Sequence, residues 1–312
     1  MISIIIVSWN AKGYLLKCLS SLRYQKNPTE IIVVDNASAD GSPEAVARDY
    51  PQVQLIRNRE NLGFSRANNI GIKAAQGNYL AFVNSDVVVL PNCMEVLIDF
   101  LAAHRDVGMV GPKILGKDAR LQPSCRSFPT LKTEFCRATA LDRLLPARWD
   151  HSKVEPVDVL QGSFMVVKRK ALEDVGLWDE RFFVYGEDLD FCRRFWKSGW
   201  KIAFIPRARA IHYGGASSSN APVRFYIEKQ RADLQYWRKH RSPRAVRGYL
   251  LLSALHEALR ALGYALPALL KESARYKMRR SVACLRWLLL SNADTRKPTQ
   301  TREREMINEN AT

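Results

Sequence analysis

The first hundred residues alternate short apolar runs with amphipathic stretches, and this alternation constrains the fold more than any other feature of the chain. Ile4 to Val7, Ile31 to Val34 and Tyr79 to Val83 read as buried strands. Between them, Tyr14, Leu15, Leu16, Cys18, Leu19 and Leu22 have helical spacing, and Ala67 to Ala75 forms a second helix. Strand–helix–strand units of this kind build a largely parallel sheet, because a parallel neighbour is reached only by a crossover. Each strand runs into a polar cluster: Ser8-Trp9-Asn10, Asp35 to Gly41, and Asn84-Ser85-Asp86. Open α/β sheets bind ligands at the carboxyl ends of their strands, so these clusters are the first candidates for a site.

From Gly116 to Asp158 the pattern weakens, with Pro123, Pro129, Pro146 and Pro156 punctuating it, and the stretch reads as a long irregular or partly helical insertion. Long loops of this kind often cover a site. Regular structure resumes at Val157 to Arg169, followed by a helix over Asp188 to Lys197, a stop at Gly199 and a strand over Lys201 to Ile205. Beyond Ser217 to Asn220 come helical segments over Val223 to His240, Arg247 to Leu266 and Lys271 to Leu290. The expected division is an α/β domain over 1–221, a basic amphipathic helical extension over 222–291 and a disordered tail over 292–312.

A formal net charge of +17 calls for an anionic partner: nucleic acid, an acidic bilayer surface or a phosphorylated substrate. Residues Pro222 to Thr312 carry 19 Lys+Arg against 8 Asp+Glu, a net +11, which leaves +6 for the rest. The same region holds Leu250 to Leu252, Leu269-Leu270 and Trp287 to Leu290, a combination that suits an anionic membrane surface better than a duplex groove. His256, Glu257, Arg260 and Lys271 interrupt the apolar stretch around Tyr249 to Leu270, which argues against a spanning helix. The segment Met1 to Val7 reads as a strand rather than a secretion signal. Six cysteines scattered singly fit a reduced compartment, so the expected place is the cytoplasm, at the inner face of the cell membrane.

Several residues carry candidate chemistry. Asp35 ends a run of four β-branched residues, where it either accepts from a ligand or closes an Asp-Asn-Ala-Ser turn. Asp86 lies just beyond the Tyr79–Val83 strand, where one hard oxygen ligand can hold Mg²⁺ or Mn²⁺ or merely end a strand. Glu187, Asp188 and Asp190 crowd one helix start; acids stabilise that end of a helix, yet three exceed what one cap needs, and mutual repulsion raises proton affinity toward that of a useful base. His212 gains weight as a ligand only beside a metal at Asp86. Asn61 to Asn69, with Gly63 and Arg66, opens a helix whose N–H groups can meet a diphosphate, or is a loop with a capped helix.

Taken in order, Ile32 to Ser38 with Asp40-Gly41-Ser42, Asn61-Leu62-Gly63-Phe64, Asn84-Ser85-Asp86 and Gly186 to Phe191 resemble the family 2 glycosyltransferases, and within them the bacterial rhamnosyltransferase group. The likeness covers roughly Ile2 to Ser217. It implies a GT-A fold: a Rossmann-like mixed sheet flanked by helices, here with a C-terminal helical extension. The resemblance further implies that Asp35 binds the nucleobase, that Asp86 ends an Asp-X-Asp metal motif in which Asn84 replaces the first carboxylate, that His212 completes the metal or phosphate site, and that Asp188 is the catalytic base. Donor contacts are expected from Ser8, Asp35, Asn61, Arg66, Asn69, Asn84 and Asp86, and acceptor contacts from Glu187 and Trp178. The Gln-X-X-Arg-Trp motif of processive members is absent, since Gln235-Tyr236-Trp237-Arg238 has the order wrong.

The expected function is therefore an inverting, non-processive, Mg²⁺- or Mn²⁺-dependent transfer of a sugar, with rhamnose from dTDP-rhamnose as the guess, to a hydroxyl of a lipid-linked or cell-surface glycan precursor. A nicotinamide enzyme is disfavoured, because Ser8 to Gly13 lacks the glycine-rich spacing. A nucleotidyltransferase shares nucleotide, metal and carboxylates, and a basic nucleic-acid-binding protein is the alternative of another class.

Overall fold

The computed structural model describes residues 1–23, 25, 29–144, 148–214 and 222–290; the Ser217 to Asn220 run and the tail from Asn292 lie outside the described residues. The chain forms two compact units, Met1–Phe128 with Ala147–Ala221, and Pro129–Pro146 with Pro222–Thr312.

The strands of the first unit are β1 (Ile2–Ser8), β2 (Thr29–Asp35), β3 (Gln54–Arg57), β4 (Tyr79–Val83), β5 (Val87–Val89), β6 (Val107–Leu115), β7 (Cys125–Arg126), β8 (Glu155–Pro156), β9 (Val159–Leu160), β10 (Phe164–Lys168) and β11 (Lys201–His212). Nine of them form one sheet in the order β3-β2-β1-β4-β10-β6-β11-β5, with β8 beside β11, while β7 pairs with β9. β1 runs parallel to β2 and β4, and β2 to β3. β10 is antiparallel to both β4 and β6, so the sheet is mixed, as the family resemblance implied.

Burial explains the strands. Ile2, Ile4, Ile5 and Ile6 are all buried, which fits a strand covered on both faces. Helix α1 (Lys12–Leu22) turns Leu15, Cys18, Leu19 and Leu22 inward, a helical stripe whose leucines gain about 1.5–3 kcal/mol each over exposure. Helices α2 (Ser42–Asp49), α3 (Gly63–Ala74), α4 (Cys93–Ala103), α6 (Arg169–Val175) and α7 (Glu187–Lys197) complete the unit. β11 runs seven residues past the expected end at Ile205, because a register shift between Ile205 and Arg209 absorbs Pro206 and lets Arg209 to Ile211 rejoin β6.

The second unit holds α5 (Leu131–Ala138), a 3₁₀ turn over Leu141–Leu144, α8 (Pro222–His240), α9 (Pro243–Ala265), α10 (Pro267–Leu270) and α11 (Glu272–Leu290). Thr130 and Thr133 form a reciprocal cap at the start of α5, and the Ser242 side chain caps α9. Trp237 stacks on Tyr249 with centroids 5.1 Å apart, tying α8 to α9.

Candidate active site

The parallel register sets Ser8 beside Asp35 at the carboxyl ends of β1 and β2. Asp35 Oδ2 accepts from the Ser38 N–H at 3.0 Å, closing the turn, while its Oδ1 is buried with no partner, as is Ser8 Oγ. The two readings of Asp35 are thus divided between its two oxygens. Because an unpaired buried acceptor costs about 1–3 kcal/mol, a donor group from a ligand is the economical partner for Oδ1. The loop after β2 is locked to the loop after β1: the Asn10 N–H donates to Ser38 Oγ at 2.9 Å, and the Ala39 N–H to Asn10 Oδ1 at 2.8 Å.

Two strands farther, β4 delivers Asn84-Ser85-Asp86, and the antiparallel pairing of β5 with β11 places His212 against Val87. His212 Nε2 lies 3.3 Å from Asp86 Oδ1, and both side chains are buried. The Gln122 amide N–H donates to His212 Nδ1 at 3.0 Å, which leaves Nε2–H to donate to Asp86. Ligation of a metal through Nε2 would require that proton to move to Nδ1, with the Gln122 amide oxygen turned to accept it. Asn84 Oδ1 is a buried acceptor without a partner. These residues fit a hard divalent ion that takes one protein carboxylate and draws oxygens from phosphates. Among the described residues no group of three or more His, Cys, Asp and Glu gathers, so such an ion would depend on the donor for its remaining ligands.

Glu187 and Asp188 open α7 behind Gly186, whose φ of +76° is a backbone that side-chain-bearing residues rarely adopt. Asp188 is buried and surrounded by donors: Arg126 Nη2 at 2.5 Å and the Gly162 N–H at 3.1 Å on Oδ2, and the Leu189 N–H at 2.7 Å on Oδ1. Oδ2 is fully used by two donors, and Oδ1 keeps a lone pair. The same loop ties this carboxylate to the other cluster, since the Asn84 N–H donates to Ser163 O at 2.9 Å. The raised proton affinity expected at this helix start falls on Glu187: burial first, then the Asp188 charge, push it up to about 8. Glu187 Oε2 has no hydrogen-bond partner, whereas Asp190, wholly buried, pairs with Arg194 at 2.9 Å and serves the fold.

Three expected contacts land elsewhere. Trp178 is 2% exposed, stacked on Phe191 at 4.1 Å with Phe82 edge-on at 5.1 Å, so its ring is core and offers no face to an acceptor. Asn69 holds that tryptophan in place, accepting from the Trp178 N–H at 3.0 Å and donating to Trp178 O and Glu180 Oε1, each at 2.9 Å, which occupies both amide hydrogens. Asn61 Oδ1 accepts from the Gly63 N–H at 3.0 Å, and the Phe64 N–H donates to Phe183 O at 2.7 Å, so the start of α3 is bound within the protein. Gly63, at φ +78°, cannot be larger: a Cβ there would lie 2.5 Å from Phe183 O. Arg66 stays half-exposed, 3.9 Å from Glu180. Two residues absent from the sequence expectations, Arg126 and Gln122, prove to support Asp188 and His212. Both come from the proline-punctuated stretch, where no periodicity marks them.

A mixed sheet with carboxylates and a histidine near its carboxyl edge agrees with the GT-A class of nucleotide-diphospho-sugar transferases that the sequence resemblance implied. Residues 3–176 match the family model described as "Glycosyl transferase family 2", and the chain belongs to that family. It is similar to the N-acetylglucosaminyl-diphospho-decaprenol L-rhamnosyltransferase of Mycobacterium tuberculosis, 29% identical over 249 residues that cover 72% of this chain and 79% of that protein. It is also similar to the rhamnosyltransferase WbbL of Escherichia coli, 27% identical over 224 residues, covering 68% of this chain and 83% of the relative. Among solved structures, the mannosyltransferase PcManGT from Pyrobaculum calidifontis, in complex with GDP-Man and Mn²⁺, superposes with a TM-score of 0.57 at 20% identity, covering 95% of this chain and 88% of that one, a likeness of fold. The protein is thus a glycosyltransferase.

Proposed function

We propose that this enzyme transfers rhamnose, with inversion, from a nucleotide diphosphate donor to a hydroxyl of a lipid-linked glycan precursor. The observation that carries the reading is the pairing of two clusters on one sheet edge: Asp86 with His212, and Asp188 tethered to Asn84 through Gly162-Ser163. The printed names of the two rhamnosyltransferase relatives support the choice of sugar, and the name of the mycobacterial one supports a diphospholipid acceptor.

Asp188 Oδ1 takes the proton of the acceptor hydroxyl as that oxygen bonds to the anomeric carbon and the bond from that carbon to the diphosphate oxygen breaks. Arg126 and the Gly162 N–H hold the other carboxylate oxygen, which fixes Oδ1 in direction. Asp35 Oδ1 and Ser8 Oγ receive the base and ribose, and Asn84, Asp86 and His212 are the residues that would hold Mg²⁺ or Mn²⁺. Such an ion supplies Lewis-acid stabilisation of charge on the leaving diphosphate.

The test is a donor panel with Mg²⁺ or Mn²⁺, a diphospholipid GlcNAc acceptor, and quantitation of released nucleoside diphosphate. Acceptor-dependent release of dTDP from dTDP-rhamnose is the expected result. Release from a different nucleotide sugar would replace the donor, and pyrophosphate instead of nucleoside diphosphate would overturn sugar transfer in favour of nucleotidyl transfer.

A further inference from the structure

The helical unit contains a helix turned inside out. Along α9, the residues buried against the rest of the unit are Tyr249, Ser253 and Glu257, two of them polar. Its outward face, continued through Leu266 into α10, carries Leu251, Leu255, Leu259, Leu262, Leu266 and Leu270, with exposures from 42% to 90%. At about 100° per residue the first five of these fall within an arc of roughly 80°, opposite the buried one. The inward Glu257 is engaged inside the unit, where it accepts from the Tyr226 hydroxyl at 2.5 Å. A water-soluble helix does the reverse, polar outward and apolar inward. Leucines spaced 4, 4, 3, 4 and 4 apart are a continuous ridge, and contiguous exposed apolar surface of this kind marks an interaction site.

Charge selects the occupant. Residues 222–290 hold 15 Lys+Arg against 4 Asp+Glu, a net +11, so the whole basic excess of the C-terminal region lies on these helices. Exposed Arg275, Lys277, Arg279 and Arg286 stand on α11, the helix that packs along α9. A second copy meeting the ridge would bring the same +11 against itself, whereas a layer of anionic headgroups over acyl chains matches both features at once. Among the described residues no helix is long and apolar enough to cross a membrane, so the fit is to the surface layer.

We infer that the α9–α10 leucine ridge is a membrane-docking face, seated at the headgroup–acyl boundary of an anionic bilayer with the arginines and lysines of α11 at the phosphates. This inference does not depend on which sugar is transferred. It is tested on the full chain by co-sedimentation with vesicles of phosphatidylcholine alone and with 30% phosphatidylglycerol added, as a probe composition of about that content. The variant Leu262→Ser/Leu266→Ser removes apolar contact without touching the interior, and its melting temperature serves as the check on folding. Expected are binding to the anionic vesicles, a partition constant lowered at least about tenfold in the variant at unchanged melting temperature, and weakening by salt. If the double variant fails to fold, the single variant Leu251→Ser, about three to four turns away, carries the same comparison. Vesicle binding equal to wild type in a folded variant overturns the inference. So does equal binding to neutral vesicles, or a wild-type dimer that the variant converts to monomer without any vesicle binding by either, which would assign the ridge to self-association.

Discussion

Replacing Glu187 by Gln isolates the most perturbed acid of the site. Glu187 is buried with one oxygen unpartnered, and burial followed by the Asp188 charge raises it from 4.5 to about 8. A carboxyl whose folded value exceeds its unfolded value binds an extra proton in the native state between the two, so stability falls as pH rises through that window. The stability associated with the neutral form is complete below about 4.5 and lost through about 8. Integrated from pH 6 to pH 9, the loss is about 2–3 kcal/mol, or roughly 5–10 °C in Tm for a domain of this size. Glutamine keeps the shape and cannot ionise. Thermal melts followed by near-ultraviolet circular dichroism at pH 6, 7, 8 and 9 should show wild type falling more steeply than Glu187→Gln by about that amount. Parallel pH dependence in the two proteins would refute the placement of a neutral Glu187 beside Asp188.

Asp86→Ala should abolish metal-dependent nucleoside diphosphate binding in a protein that still folds, at a cost in stability of about 1–3 kcal/mol, since it removes a buried carboxylate beside His212 in the turn between β4 and β5; calorimetry with and without Mg²⁺ or Mn²⁺ reads the binding. Arg126→Ala should destabilise by about 1–3 kcal/mol, because it strands a buried carboxylate but removes a guanidinium that is itself half-exposed. Adding Asp188→Asn should recover part of that loss, and a double-mutant cycle with no coupling would show that the Arg126–Asp188 contact carries no energy.

The sequence made the strand ends legible because burial and chemistry coincide there. Tyr79 to Val83 matches β4 residue for residue, and the C-terminal helices fall close to their expected limits, since a helix or a doubly buried strand is written in consecutive residues. Asp35, Asp86 and Asp188 were legible for the same reason, each lying at or just beyond the end of an apolar run or opening a periodic one. What escaped depends on distant partners. Trp178 looks like an acceptor platform until Phe64, Phe82 and Phe191, far apart in the chain, close around it. Asn69 looks like a ligand amide until the Trp178 backbone arrives to fill it. Arg126 and Gln122 reach their carboxylate and histidine from a segment with no period to read. The acidic cluster announced a perturbed acid without saying which, because the choice rests on the donors: Asp188 receives three, and Glu187 Oε2 receives none.

The central claim is that Asp188 accepts the acceptor's proton, and Asp188→Asn tests it most directly. Asparagine preserves the shape and keeps an oxygen for the Arg126 and Gly162 donors, but it cannot take a proton. Single-turnover sugar transfer and donor affinity should be measured on the same preparation, after its melting curve confirms folding. The account predicts that transfer falls by about 10²–10⁴ while the donor dissociation constant stays close to wild type. Transfer near the wild-type rate in the folded variant would contradict it and leave Asp188 a structural partner of Arg126 and α7.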